Sequence, residues 1–81
     1  MQMKRKGKMA KNEEGSLILI NEENKGYRVD EVVAAIWSKC DGKSVDGLTR
    51  EIAEETKLSE EELKPQIERI VGKLKEAKLI E

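Results

Sequence analysis

The hydrophobic pattern changes period once, at Asp30, and that switch constrains the fold more than any other feature of the chain. Before it, Leu17-Ile18-Leu19-Ile20 is a short, partly β-branched apolar run, and Tyr27-Arg28-Val29 alternates apolar with polar. Both patterns suit strands. Asn21 to Gly26 lies between them, rich in amides and charge, and reads as a turn. The pair predicts a hairpin with a loop longer than the tight two-residue kind. After Asp30 the apolar residues repeat with helical spacing. Asp30 itself is a good N-cap, with Glu31 favourably placed in the first turn.

Three helices follow. Val32, Val33, Ile36, Trp37 and Cys40 form the first stripe, stopped by Asp41-Gly42. Ser44 caps a second helix that presents Val45, Leu48, Ile52 and Ala53 and ends near Thr56-Lys57. Ser59 and Glu62 make a capping box for the third, flanked by Leu58 and Leu63 as a hydrophobic staple. Its stripe is Leu63, Ile67, Ile70, Val71, Leu74 and Ala77, closed by Leu79-Ile80. Pro65 removes a backbone donor, so a kinked or separate first turn is expected. Gly72 suggests close approach of another backbone. The order predicts an α+β domain of winged-helix type: an N-terminal β-hairpin or three-stranded antiparallel sheet, then three helices.

With 81 residues the chain has room for one modest core, and such a domain buries only roughly 60% of its unfolded surface. Cys40 is the only cysteine, which excludes a disulfide within the chain and fits a reducing compartment. It sits in an apolar stripe and is expected in the core. No apolar run approaches the length of a membrane span, and no signal peptide is evident. A cytoplasmic location is expected. The net charge of −1 hides an asymmetry, because Lys4, Arg5, Lys6, Lys8 and Lys11 all precede the first acid, Glu13. Residues 1–15 read as a basic, flexible tail and residues 16–81 as an acidic folded domain.

The residue inventory points away from catalysis. There is no histidine for proton transfer near neutral pH, and one cysteine without histidine cannot supply the usual zinc or iron–sulfur ligand sets. No glycine-rich phosphate loop occurs. The paired carboxylates lie in turns or at helix edges, as solvated charge. No cofactor and no metal are expected, and binding is the remaining function class. One option is duplex DNA, as a winged-helix transcriptional regulator. Against it, the third helix opens with Glu60, Glu61 and Glu62, which would face a polyanion. A second option is strand addition, in which an extended peptide pairs with an exposed sheet edge such as Tyr27-Arg28-Val29. A third is an adaptor or dimerisation module, with a homodimer as its simplest form.

The run from Leu17 through Asn21-Glu22-Glu23-Asn24-Lys25-Gly26 to Tyr27-Arg28-Val29-Asp30 resembles the strand–turn–strand opening of PqqD-like proteins. Cys40-Asp41-Gly42-Lys43-Ser44-Val45 is similar to the step that ends their next helix. The likeness continues through Leu48 to Glu55, the acidic capped helix and Lys78-Leu79-Ile80, and covers residues 16–81. It implies a non-catalytic chaperone that holds the leader of a ribosomally made precursor peptide and presents it to a modifying enzyme, commonly a radical SAM enzyme. The leader would be added beside Tyr27, Arg28 and Val29, in a groove walled by the third helix. That wall would include Ile67, Ile70 and Leu74, with Arg69 and Lys73 as rim contacts to acidic leader residues. Two departures stand out. Residues 1–11 are Lys-rich where the family's first strand is apolar, so that strand is expected frayed or absent, and Pro65 interrupts the groove helix.

Overall fold

Asp30 ends the sheet and starts the helices in a single residue. Its backbone is extended, and its carboxylate accepts the Val33 N–H at 2.8 Å. The computed structural model describes residues 2–81. Three strands, β1 (Lys8–Lys11), β2 (Leu17–Ile20) and β3 (Gly26–Val29), precede three helices, α1 (Glu31–Lys39), α2 (Val45–Thr56) and α3 (Glu60–Glu76). The sheet is antiparallel in the order β1-β2-β3, so the α+β expectation holds in its three-stranded form.

Ser44 and Ser59 cap α2 and α3 as their positions suggest, accepting from the Gly47 and Glu62 N–H groups. The helix stripes meet in one core. Ile36, Trp37 and Cys40 of α1, Leu48 of α2, and Ile67, Val71 and Leu74 of α3 close over Leu19 of β2. Its polar groups are satisfied. Among the described residues, no buried side-chain nitrogen or oxygen lacks a partner. Asn21, 4% exposed, illustrates why: its Nδ2–H donates to the Ala77 carbonyl while its Oδ1 accepts the N–H groups of Glu23 and Lys25.

Three expectations are corrected. The first concerns residues 1–15, read as a flexible tail. Met3 is 5% exposed within the core, its N–H donates to the Lys43 carbonyl and its own carbonyl accepts from Gly42. Lys4 exchanges two backbone hydrogen bonds with Glu81, and the Lys6 N–H donates to Leu79. β1 is a full strand, although all four of its residues are exposed. Backbone pairing holds it in place, so it carries no apolar signature. Second, α3 runs unbroken through Pro65, which lies on the solvent side. Water can there satisfy the carbonyl that proline leaves without its helical donor. Third, a Cβ on Gly72 would meet nothing within 4 Å, so no backbone approaches it.

α3 ends in a Schellman turn built on a lysine. Lys78 takes φ +61°, the Leu79 N–H donates to the Leu74 carbonyl at 2.8 Å and the Lys78 N–H to that of Lys75. The two side chains bracketing this turn, Leu74 and Leu79, are both buried. Leu79 is thereby returned beneath Trp37, whose Nε1–H donates to both the Leu79 and Lys6 carbonyls at 3.1 and 3.2 Å. The Arg5 guanidinium lies 4.9 Å from the centre of the Trp37 ring, completing the clasp.

If the N-terminal segment is structural, truncating its buried residue should destabilise the whole domain. Met3→Ala is expected to cost about 2 kcal/mol, the lower end for emptying a buried methionine site because the terminus can relax. Urea unfolding should show a lower midpoint with an unchanged slope; an unchanged midpoint would return Met3 to the tail.

Candidate functional site

β3 forms one margin of the sheet, and the hydrogen-bond alternation determines which of its backbone groups face outward. Leu17 pairs with Val29, Ile18 with Arg28, Leu19 with Tyr27 and Ile20 with Gly26. One step further, the Asn21 N–H donates to the Lys25 carbonyl at 3.0 Å. Bonded and non-bonded pairs alternate in an antiparallel ladder, so Leu19–Tyr27 and Leu17–Val29 are the bonded pairs. The N–H and C=O groups of Gly26 and Arg28 therefore point away from β2. The other side of β2 agrees: Asn12 donates to Ser16, which assigns Ile18 and Ile20 to the β1 ladder.

The side chains follow the pleat. Tyr27 and Val29 share the core-facing side with Leu19, whereas Gly26 and Arg28 share the outer side with Ile18 and Ile20. A Cβ on Gly26 would sit 3.2 Å from Cγ2 of Ile18, which confirms that side. The Arg28 guanidinium reaches along the outer face to Glu14 at 3.3 Å and to Ser16 Oγ at 3.0 Å. Arg28 thus offers the margin its backbone, not its charge.

Beyond that margin lies a groove of about 330 Å³ between β3 and α3. Tyr27, Arg28 and Val29 form one wall, and Ile70, Lys73, Leu74 and Ala77 form the other. Val33 of α1 closes one end, and Leu79 contributes from the turn after α3. Six of the eight residues singled out from the sequence meet here. Ile67 and Arg69 do not. Ile67 is 2% exposed in the core and opens on a neighbouring cavity instead, while Arg69 projects from α3 outside the groove lining. Asp30, Val33, Ala77 and Leu79 were missed as lining residues. Asp30 was read only as the α1 cap, and Val33 and Ala77 lie on predicted apolar stripes, but Leu79 follows the helix and reaches the groove only through the turn at Lys78.

A larger hollow of about 580 Å³ lies under the β1–β2 turn, lined by Lys11, Ser16, Arg28 and Glu31 among others. Its lining is more polar than that of the groove. The β1 margin also exposes backbone groups, but Lys8 and Lys11 flank it, as lysines commonly do at unpaired strands. The β3 margin carries no lysine within the strand and opens onto apolar side chains.

The fold and this site define a small α+β domain with one sheet margin open into an apolar groove. The family model described as Coenzyme PQQ synthesis protein D (PqqD) matches residues 16–80, and the chain belongs to that family. No curated protein and no solved structure matches it. The family's description ties the domain to coenzyme PQQ synthesis. Among the described residues, no cluster of three or more His, Cys, Asp or Glu side chains could hold a metal ion, and no helix is long and apolar enough to cross a membrane.

The electrostatics are those of an exposed ion-pair surface. Lys78 holds Glu23 below the usual carboxylate range, and Lys6, Lys64 and Lys43 do the same for Glu81, Asp46 and Glu51. Reciprocally, Glu81 with Glu22 raises Lys6, and Asp46 raises Lys64. Burial pushes the Cys40 thiol up; its Sγ–H donates to the Trp37 carbonyl at 3.1 Å. A lowered carboxylate stabilises the fold fully above its ordinary range and loses that contribution as pH falls through the lowered value. A raised lysine or thiol stabilises fully below its ordinary value and loses that contribution as pH rises through the raised one. With no histidine, the melting temperature is expected to be flat from about pH 6 to about pH 8. It should fall below about pH 4.5 and above about pH 9, the acid limb flattening in molar salt because the pairs are exposed. A midpoint that changes steeply between pH 6 and 8 would contradict this assignment.

Proposed function

We propose that the chain is a non-catalytic peptide-binding module that captures the leader of a ribosomally made precursor peptide as a fourth strand beside β3. It then presents that peptide to a modifying enzyme of the radical SAM class. The observation that carries this reading is the coincidence of two features at one place. The outward N–H and C=O groups of Gly26 and Arg28 supply sequence-independent pairing, and the groove supplies side-chain selectivity.

Each side chain has a distinct part. A strand laid along β3 alternates its own side chains, so every second one enters the groove against Tyr27, Val29, Ile70 and Leu74. Lys73 stands in the groove wall and enters none of the ion pairs among the described residues, which leaves its ammonium available to an acidic peptide residue. Arg69 lies one turn from Lys73 on α3 and would act only on a peptide extending past the groove. Family membership supports the assignment of the chemistry to a partner, with this chain supplying recognition. The single reduced cysteine suits the cytoplasm, where such a peptide is made.

The duplex-binding alternative has no comparable support. The first turn of α3 carries Glu60, Glu61 and Glu62, and Lys64 is paired with Asp46 at 2.9 Å.

Peptides selected from a displayed random library against the full chain should, on titration, shift the Gly26 and Arg28 amides more than those of Tyr27 and Val29. Arg28→Pro removes one outward donor without touching the β2 ladder, so affinity should fall about ten-fold while urea stability changes by less than about 0.5 kcal/mol. Bound peptides that leave both outward amides unmoved would refute strand addition. Purification from the native host should return a short ribosomal peptide together with a radical SAM enzyme.

A further inference from the structure

Val33 closes one end of the β3 groove, but the apolar face of α3 continues past it. On the far side of Ile70, a second cavity of about 200 Å³ lies where α1, α2 and α3 converge. Its walls are Val32, Ala35 and Ile36 from α1, Ile52 from α2, and Leu63 and Ile67 from α3, an almost wholly apolar lining. At its outer end the Lys39 ammonium pairs with the Glu55 carboxylate and bridges the helices. Val32, the residue at its mouth, is 61% exposed, although valine otherwise favours burial. Ile70 belongs to both cavities, so the two are neighbouring compartments of one valley along α3.

We infer that this second cavity is an anchor subsite for an apolar side chain of the same peptide, outside the segment that pairs with β3. The inference rests on the peptide reading above and extends it to a bipartite recognition rule. Continuity with the β3 groove selects this occupant over a separate partner protein. A chain leaving the Val29 end of the groove meets Ile70 and then the cavity without crossing a charged residue of α3.

Spacing makes the rule specific. Leu74 lines the β3 groove and Ile67 lines the anchor cavity, seven positions apart on one helix. At 1.5 Å per residue that is roughly 10 Å, which about three extended residues span. The anchor is therefore a Leu, Ile, Met or Phe about three positions from the paired segment. For a strand added antiparallel to β3, it precedes that segment in the peptide.

The probe is a displayed library of random 14-residue peptides selected on the full chain, followed by synthesis of the enriched sequences. Selected peptides should carry an apolar residue at the predicted offset, and replacing it with alanine should weaken binding about ten- to a hundred-fold. Methyl resonances of Ile36, Leu63 and Ile67 should shift with the anchored peptide and not with its alanine variant. Ala35→Leu, at an exposed helical position, fills the mouth of the cavity with little effect on the helix. It should remove the anchor's contribution while leaving anchor-truncated peptides bound as tightly as before.

The two readings fail differently. If the Gly26 and Arg28 amides shift but the three sets of methyls do not, the anchor is wrong and strand addition stands. If neither set responds to any enriched peptide, or no peptide is enriched, the peptide reading fails and the anchor with it.

Discussion

The indole N–H of Trp37 joins the two ends of the chain, and the rest of the structure depends on that contact. It donates to the carbonyls of Lys6 and Leu79, and the Lys6 N–H donates to the same Leu79 oxygen. Three segments distant in sequence are thereby held at one point in the interior: the N-terminal lead-in to β1, the last turn of α1 and the return after α3. In a domain this small the clasp supplements a limited core, together with the buried Met3, Leu79 and Ile80 and the backbone pairing of Lys4 with Glu81. A buried donor with two acceptors is also specific in geometry, because displacing either segment leaves a polar group unpaired in apolar surroundings.

That clasp has consequences for the groove. Leu79 lies beneath Trp37 only because α3 stops at Ala77 and reverses through the left-handed Lys78. The same reversal brings Ala77 and Leu79 to the margin of β3, where Asn21 holds the Ala77 carbonyl from the sheet side. The spacing between β3 and α3, which sets the groove's width, is therefore held by polar contacts at its rim and by Leu74 on its floor. For the proposed strand addition such fixed walls lower the cost of binding, because the ordering is done before the ligand arrives.

Much of the helical layer was legible in the residues themselves. Asp30, Ser44 and Ser59 act through short-range bonds to backbone three residues on, and the apolar stripes of α1 and α3 follow from the helical repeat alone. These signals are local, and local chemistry survives folding. The N-terminal segment was not legible, for the opposite reason. β1 buries none of its side chains and Met3 buries one, so a Lys-rich stretch held by backbone pairing looks like a solvated tail. Pro65 and Gly72 misled in a similar way, since both were read for what they do to a backbone in isolation. Their positions on the solvent side of α3 make them harmless.

Of the site, the sequence alone determined the strand at Tyr27-Arg28-Val29 and the apolar stripe of α3 that walls the groove. Each is a property of residue type and spacing. Only the tertiary structure decided which backbone groups of β3 face outward, because that depends on register, and a shift of one residue would have reversed Gly26 and Arg28 with Tyr27 and Val29. It also separated Ile67 from Leu74: one helical face carries both, but Leu74 lines the β3 groove and Ile67 the second cavity, with Ile70 shared between them. Leu79 entered the groove by a turn that a lysine gives no sign of making. Periodicity can say which residues share a face, but what that face meets depends on contacts between residues far apart in the chain.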